Sequence, residues 1–106
     1  VTGRLEPVFN ELVHAPLRLR ICGLLKSADE LDFSVLRDAL GIDDAKLSKN
    51  LKVLTEADLI TVRKERSAAR NDARRITWIT LSAKGRMTFD AHVAALTLIA
   101  TGTSAR

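Results

Sequence analysis

At Ala57 the apolar repeat of this sequence changes period, and that change limits the folds open to it. Before it, Leu47, Leu51 and Leu54 stand at i, i+4 and i+7, one stripe of a helix at 3.6 residues per turn. After it, Leu59-Ile60-Thr61-Val62-Arg63 and Ile76-Thr77-Trp78-Ile79-Thr80-Leu81 are β-branched and aromatic runs with much of the alternation of strands. The pattern predicts an α+β, mainly helical domain in which a run of helices is followed by an antiparallel hairpin over residues 59–81.

The helix from Asp43 to Ala57 has two unlike faces. Ala45, Lys49 and Lys52 lie nearly opposite the leucines on a helical wheel, with Lys46 and Val53 on one shoulder and Ser48 on the other. Asp43 suits the N-cap, because its carboxylate can accept from the unpaired amides of the first turn. Taken alone, the stretch also fits an ordinary amphipathic helix with a solvated lysine face. Its neighbours separate the two readings. Ser34 is a candidate cap for a helix of about two turns, with Val35, Leu36, Ala39 and Leu40 as its apolar residues. Gly41 ends it in the left-handed conformation that glycine adopts readily. Helix, glycine turn, helix over residues 34–57 is the spacing of a helix-turn-helix, in which the first helix braces the second.

Upstream, Glu6 to Val13 predicts a short helix with Pro7 in its first turn, and Val8, Phe9, Leu12 and Val13 on one side. A second helix restarts at Pro16, with Leu17, Ile21, Leu24 and Leu25 facing the core. Ser27 to Glu30 reads as a polar connection, and Leu31-Asp32-Phe33 as a very short strand or extended segment. Downstream, Ser82 caps a last helix from Ala83 to about Ala100. Met87, Ala91, Ala94 and Leu98 form its stripe, widened by Phe89, Val93, Leu96 and Ala100. That is more apolar surface than a small domain needs to bury one helix face. A second copy of the chain is the simplest cover. The expected dimerisation segments are residues 1–14 and 82–100, through Val8, Phe9, Leu12, Met87, Phe89, Val93, Leu96 and Leu98.

The formal net charge of +4 becomes informative once it is located. From Lys46 to Arg75 there are nine basic residues against four acids, so this segment carries +5 and the remainder about −1. One contiguous basic stretch in a globular composition (46% hydrophobic, 28% charged) is the electrostatic footprint of a protein that binds polyanions. The connection from Lys64 to Arg75 reads as an exposed arginine-rich loop. Its Lys64, Arg66, Arg70, Arg74 and Arg75 can neutralise phosphates or enter a narrow minor groove. Cys22 is the only cysteine, which excludes an internal disulfide and a Cys-rich metal cluster within one chain; it is read as core filler. His14 and His92 are far apart in sequence and have no ligand partner at a recognisable spacing, so no metal site and no cofactor is expected. No paired carboxylates, nucleophile with base, or glycine-rich phosphate loop stands at a usable spacing, which speaks against an enzyme. No apolar run approaches the ~20 residues of a membrane span, and the start of the chain has no signal pattern. The expectation is a cytoplasmic protein of one domain, residues 1–106, without membrane contact.

In order and spacing the chain resembles the winged-helix transcriptional regulators of the MarR and ArsR type, in particular their small single-domain branch. The residues that carry the resemblance are His14-Ala15-Pro16-Leu17-Arg18-Leu19-Arg20-Ile21, Leu31-Asp32-Phe33-Ser34-Val35-Leu36, Leu47-Ser48-Lys49-Asn50-Leu51-Lys52-Val53-Leu54, Glu56-Ala57-Asp58-Leu59-Ile60, and Thr77-Trp78-Ile79-Thr80-Leu81-Ser82-Ala83-Lys84-Gly85-Arg86. The resemblance implies a homodimer that binds double-stranded DNA at a pseudo-palindromic operator, mostly as a repressor, and relatives that often respond to a small-molecule effector or an oxidant. It also implies a recognition helix in the major groove, with Ala45, Lys46, Ser48, Lys49, Lys52 and Val53 as its DNA-facing residues, and a wing hairpin on backbone or minor groove. A protein-interaction module on the same fold is the alternative. The sequence departs from the pattern at Asp58, where such proteins usually have glycine, which predicts an altered turn. It departs again at Asn50, which replaces a frequent histidine and lies towards the buried flank. The wing also lacks the glycines or prolines that often tighten it.

Overall fold

Asp43 caps the helix on which the sequence reading turns: its carboxylate accepts from the Lys46 amide at 2.8 Å, and α4 runs over Asp44–Glu56. The computed structural model describes residues 5–66 and 75–103. Ahead of α4 stand α1 (Glu11–His14), α2 (Pro16–Ala28), β1 (Glu30–Asp32) and α3 (Phe33–Leu40). After it follow β2 (Ile60–Arg66), β3 (Arg75–Leu81) and α5 (Ala83–Thr101). Gly41 closes α3 at φ 67°, and Ser82 caps α5 by accepting from the Gly85 amide at 2.8 Å, both as expected.

The predicted hairpin forms with Ile60 opposite Leu81 and Arg66 opposite Arg75. β1 adds a third antiparallel strand on the far side of β3, giving the order β1-β3-β2. The strands run further than predicted. Lys64 to Arg66 and Arg75, read as loop from their charge, belong to the ladder, because a strand end in solvent tolerates polar side chains on both faces. Residues 67–74 lie outside the described residues, and the expectations for Arg70 and Arg74 with them.

Other boundaries also shift. The helix predicted from Glu6 is confined to Glu11–His14, since Asn10 caps it by accepting from the Val13 amide at 2.9 Å. The preceding residues run along α5 instead, where the Val8 amide donates to the Ala91 carbonyl at 3.0 Å. α2 continues through Ser27 and Ala28, predicted as a connection, until Asp29 turns the chain at φ 67°. Asp32 rather than Ser34 caps α3, accepting from the Ser34 amide at 3.0 Å and drawing Phe33 into the helix.

The core joins every layer. Val13, Ile21, Leu25, Leu36, Leu47, Leu54 and Ile79 are fully buried, so α1 to α4 and β3 share one apolar cluster. Each such side chain contributes about 1.5–3 kcal/mol by leaving water. Cys22 is buried among them, as predicted, and burial pushes its thiol up to about 11 against a smaller opposing effect of Arg18. A thiol protonated at neutral pH is a poor sensor.

The turn after α4 keeps its usual closure despite Asp58. The Leu59 amide donates to the Leu54 carbonyl at 3.0 Å and the Asp58 amide to Thr55 at 2.9 Å, with Asp58 at φ 62°. The altered turn expected there is not found. Aspartate is among the few residues that enter the left-handed region at modest cost. α5 is latched onto this turn: Ser82 donates from its amide to the Leu59 carbonyl at 2.9 Å and from its hydroxyl to the Asp58 carbonyl at 2.7 Å. The approach is so close that a Cβ on Gly85 would lie 1.9 Å from the Leu59 carbonyl oxygen.

His14 and His92, remote in sequence, meet midway along α5. His92 is fully buried, and its Nδ1 lies 3.0 Å from the Asn10 amide that donates to it. The proton of His92 must therefore sit on Nε2, which faces His14 Nδ1 at 3.2 Å and donates to it. Phe9 packs on both rings at centroid distances of 4.7 Å.

Candidate nucleic-acid interface

α4 presents to solvent the residues that the helical wheel picked out. Ala45, Lys46, Ser48, Lys49 and Lys52 are exposed and Val53 is half-buried, while Leu47, Leu51 and Leu54 anchor the other side. Both ends of the Asn50 amide are engaged within the chain. Its Oδ1 accepts from Arg18 Nη1 at 3.0 Å and its Nδ2 donates to the Lys46 carbonyl at 2.9 Å, so it ties α4 to α2, consistent with its position on the buried flank. Asp44, an acid at the start of this helix, is paired with Arg37 Nη1 at 2.9 Å.

The hairpin brings Lys64, Arg66 and Arg75 to one face. Residues directly opposite in a ladder share a face, so Ile60, Val62, Lys64 and Arg66 align with Leu81, Ile79, Thr77 and Arg75. The inner end of this face is core. Its outer end, with Val62, Lys64 and Thr77, forms an open groove of about 350 Å³ with Ser48, Lys52 and Thr55 of α4. Beyond the groove Arg66 and Arg75 stand opposite each other and exposed. Like charges directly opposite are unfavourable in a ladder, and an anion between them would relieve the repulsion. Thr55 and Thr77 were not legible as groove residues: the first looks like a plain helix position, and the face of the second depends on a register fixed only by the length of the turn.

The expected dimerisation residues fall into two groups. Val8, Phe9, Met87, Val93 and Leu98 are exposed, and Ile99, not singled out from the sequence, is 69% exposed. Leu12 and Phe89 pack partly against the core of their own chain, with the Lys26 ammonium 5.9 Å from the Phe89 ring centroid, and Leu96 is half-buried.

A helix-turn-helix followed by a basic hairpin is the order the sequence predicted, and a family model for the winged helix DNA-binding domain matches residues 17–100. The chain belongs to this family. Winged-helix structures of regulators superpose on it: a transcriptional regulator homologue from Pyrococcus horikoshii OT3 has a TM-score of 0.80 at 19% identity, over 88% of each chain. A MarR-family regulator from Silicibacter pomeroyi has a TM-score of 0.58 at 21% identity, over 88% of this chain and 62% of its own. A possible transcriptional regulator for arsenical resistance has a TM-score of 0.60 at 27% identity, over 89% of this chain and 95% of its own. No curated protein sequence matches. In the winged-helix assignment the β2-β3 hairpin is the wing. Among the described residues, no helix is long and apolar enough to cross a membrane.

Proposed function

We propose that this winged-helix protein is a homodimeric transcriptional regulator that represses by binding a pseudo-palindromic operator in double-stranded DNA. The observation that carries the reading is the groove that Ser48, Lys52 and Thr55 of α4 form with Val62, Lys64 and Thr77 of the wing, with Lys49 exposed on the outer face of α4 and Arg66 and Arg75 farther out on the same wing face. In this reading Ala45, Lys46, Ser48, Lys49 and Val53 meet base edges in the major groove, where hydrogen bonds and methyl contacts give sequence preference. Lys52, Lys64, Arg66 and Arg75, with Arg70 and Arg74, hold phosphates and set the register. The exposed apolar residues of the N-terminal segment and α5 are covered by the second copy. Two such helices call for half-sites about one helical turn, ~34 Å, apart.

Selection of bound duplexes from a random DNA pool, followed by salt titration of binding, tests the reading. A recovered palindrome with half-sites one turn apart is expected. Lys49→Ala is expected to lose discrimination between the selected and a scrambled duplex, by about 1–3 kcal/mol. Arg66→Ala combined with Arg75→Ala should weaken both duplexes alike and reduce the salt slope by about two. Failure to shift any duplex at low salt would sink the DNA reading in favour of a protein-interaction module.

A further inference from the structure

The face of the wing turned away from α4 carries a network that DNA contact does not use. Arg63 of β2 donates from Nη1 to Glu65 Oε2 at 2.7 Å and from Nη2 to Glu30 Oε2 at 3.1 Å. Trp78 of β3 donates its indole Nε1–H to the other oxygen of Glu65 at 2.8 Å, and the guanidinium lies 6.0 Å from its ring centroid. The Thr80 hydroxyl adds a bond to Glu30 Oε2 at 3.3 Å. The register puts them on one face: Arg63 is opposite Trp78, Trp78 is opposite Asp32, and Thr80 is opposite Glu30. One side chain thus reaches from the edge strand β2, across β3, to the opposite edge β1.

The far anchor matters because of what it is joined to. β1 has only three residues, and its last, Asp32, caps α3, the bracing helix of the helix-turn-helix. Backbone ladders leave a sheet free to vary in twist, and a short strand adds few bonds to resist it. We propose that Arg63, gripped by Glu30 and Glu65 and seated on Trp78, is a positioning residue that fixes the pitch of the wing relative to the recognition helix, so that both meet DNA at once. The proposal rests on the DNA-binding reading. Its ion pairs are half exposed, so they add little to stability. Their value lies in geometry, since a planar guanidinium fork can hold two carboxylates where an ammonium is a point charge. The sequence alone concealed this, because Arg63 reads there as one more cation of a basic segment.

Charge supplies a discriminating test. Glu30→Gln removes a negative charge from a DNA-binding protein, and long-range electrostatics alone would tighten binding. The strap predicts the reverse: binding of the pool-selected duplex weakened about two- to fivefold, with a shallower salt slope as wing cations lose their phosphates. Arg63→Lys keeps the charge and is expected to weaken binding similarly. In the DNA-free protein both variants should show faster amide hydrogen exchange where β1 pairs with β3, at unchanged exchange in α4, and a shifted emission of Trp78, the only tryptophan. Equal or tighter binding by Glu30→Gln, or wild-type binding by Arg63→Lys, would overturn the strap. If the wild-type protein shifts no duplex, the DNA-binding reading falls separately, and unchanged β1-β3 exchange in both variants overturns the strap by itself.

Discussion

On the outer face of α4, Lys46, Lys49 and Lys52 stand in solvent, and beyond the groove that α4 forms with the wing Arg66 faces Arg75 across the ladder. On α5 two sites are closely matched: Ser82 to Asp58 and Leu59 at its start, and His92 to the Asn10 amide and to His14 midway along it. The first surface gains nothing from folding and even bears some repulsion, as suits a face that is completed by a partner. The buried side of α5 is close-fitted at these two sites, where a misfit has no solvent to relax into. Substitutions in the groove should therefore change binding and spare stability, and those on the buried side of α5 should do the opposite.

Gly85→Ala tests the close-fitted side most severely. Its Cβ would meet the Leu59 carbonyl oxygen at 1.9 Å and the carbonyl carbon at 2.8 Å, both backbone atoms that cannot swing aside. A loss of about 3 kcal/mol or more is expected in chemical denaturation. Gly23→Ala is the control, since its Cβ would meet only the Phe89 ring at 3.7 Å; helix propensity favours it by up to about 1 kcal/mol. Equal stabilities of the two variants would show that α5 can slide, and the contrast with the groove would lose its basis.

A smaller effect is expected from acid. Burial, with a like-charge contribution from His14 and against the opposing pull of Glu11, holds the His92 pKa below its ordinary value. Protonation at Nδ1 would remove the acceptor of the Asn10 amide. The unfolded chain takes up this proton near pH 6.5, and the folded chain only at lower pH. The unfolded state therefore binds more protons in that interval, so stability is fully present above pH 6.5 and declines as pH falls towards the folded pKa. Thermal melts of the free protein between pH 7.5 and 5.5 should show the decline. His92→Leu should be less stable at pH 7.5, with a flatter profile. A profile as steep as that of the wild type would remove His92 as its source.

The contrast also separates what the sequence could disclose from what it could not. The leucine stripe of α4, the caps at Asp43 and Ser82 and the glycine at Gly41 act within one or two turns, so the helix-turn-helix was readable from local spacing. The exposed lysines followed from the same wheel. Contacts between distant segments were not readable in this way. His14 and His92 are separated by 78 positions and meet only because α5 folds back over α1. Arg63 could be told from the other arginines only after β1 was found to pair with β3 and bring Glu30 across. Polar composition misled at Lys64 to Arg66, where the outer end of a wing strand need not alternate.

The smallest expected effect has the opposite sign. Asp58 holds φ 62° without a stabilising contact from its own exposed side chain among the described residues, while its backbone closes α4 and its carbonyl accepts from Ser82. Glycine would keep those backbone bonds and remove the left-handed penalty, offset by its greater freedom in the unfolded chain. Asp58→Gly is therefore expected to raise stability by less than about 1 kcal/mol, read as a higher denaturation midpoint at unchanged slope. The turn lies where α4 meets the α5 latch, yet Asp58 is remote from the register of the groove lysines. Affinity for a pool-selected duplex should rise only as far as one fewer negative charge explains, within twofold or so. A lower midpoint would mean that Asp58 contributes through its side chain. A larger gain in affinity would mean that the turn sets the angle of α4, and that the close-fitted side reaches into the groove.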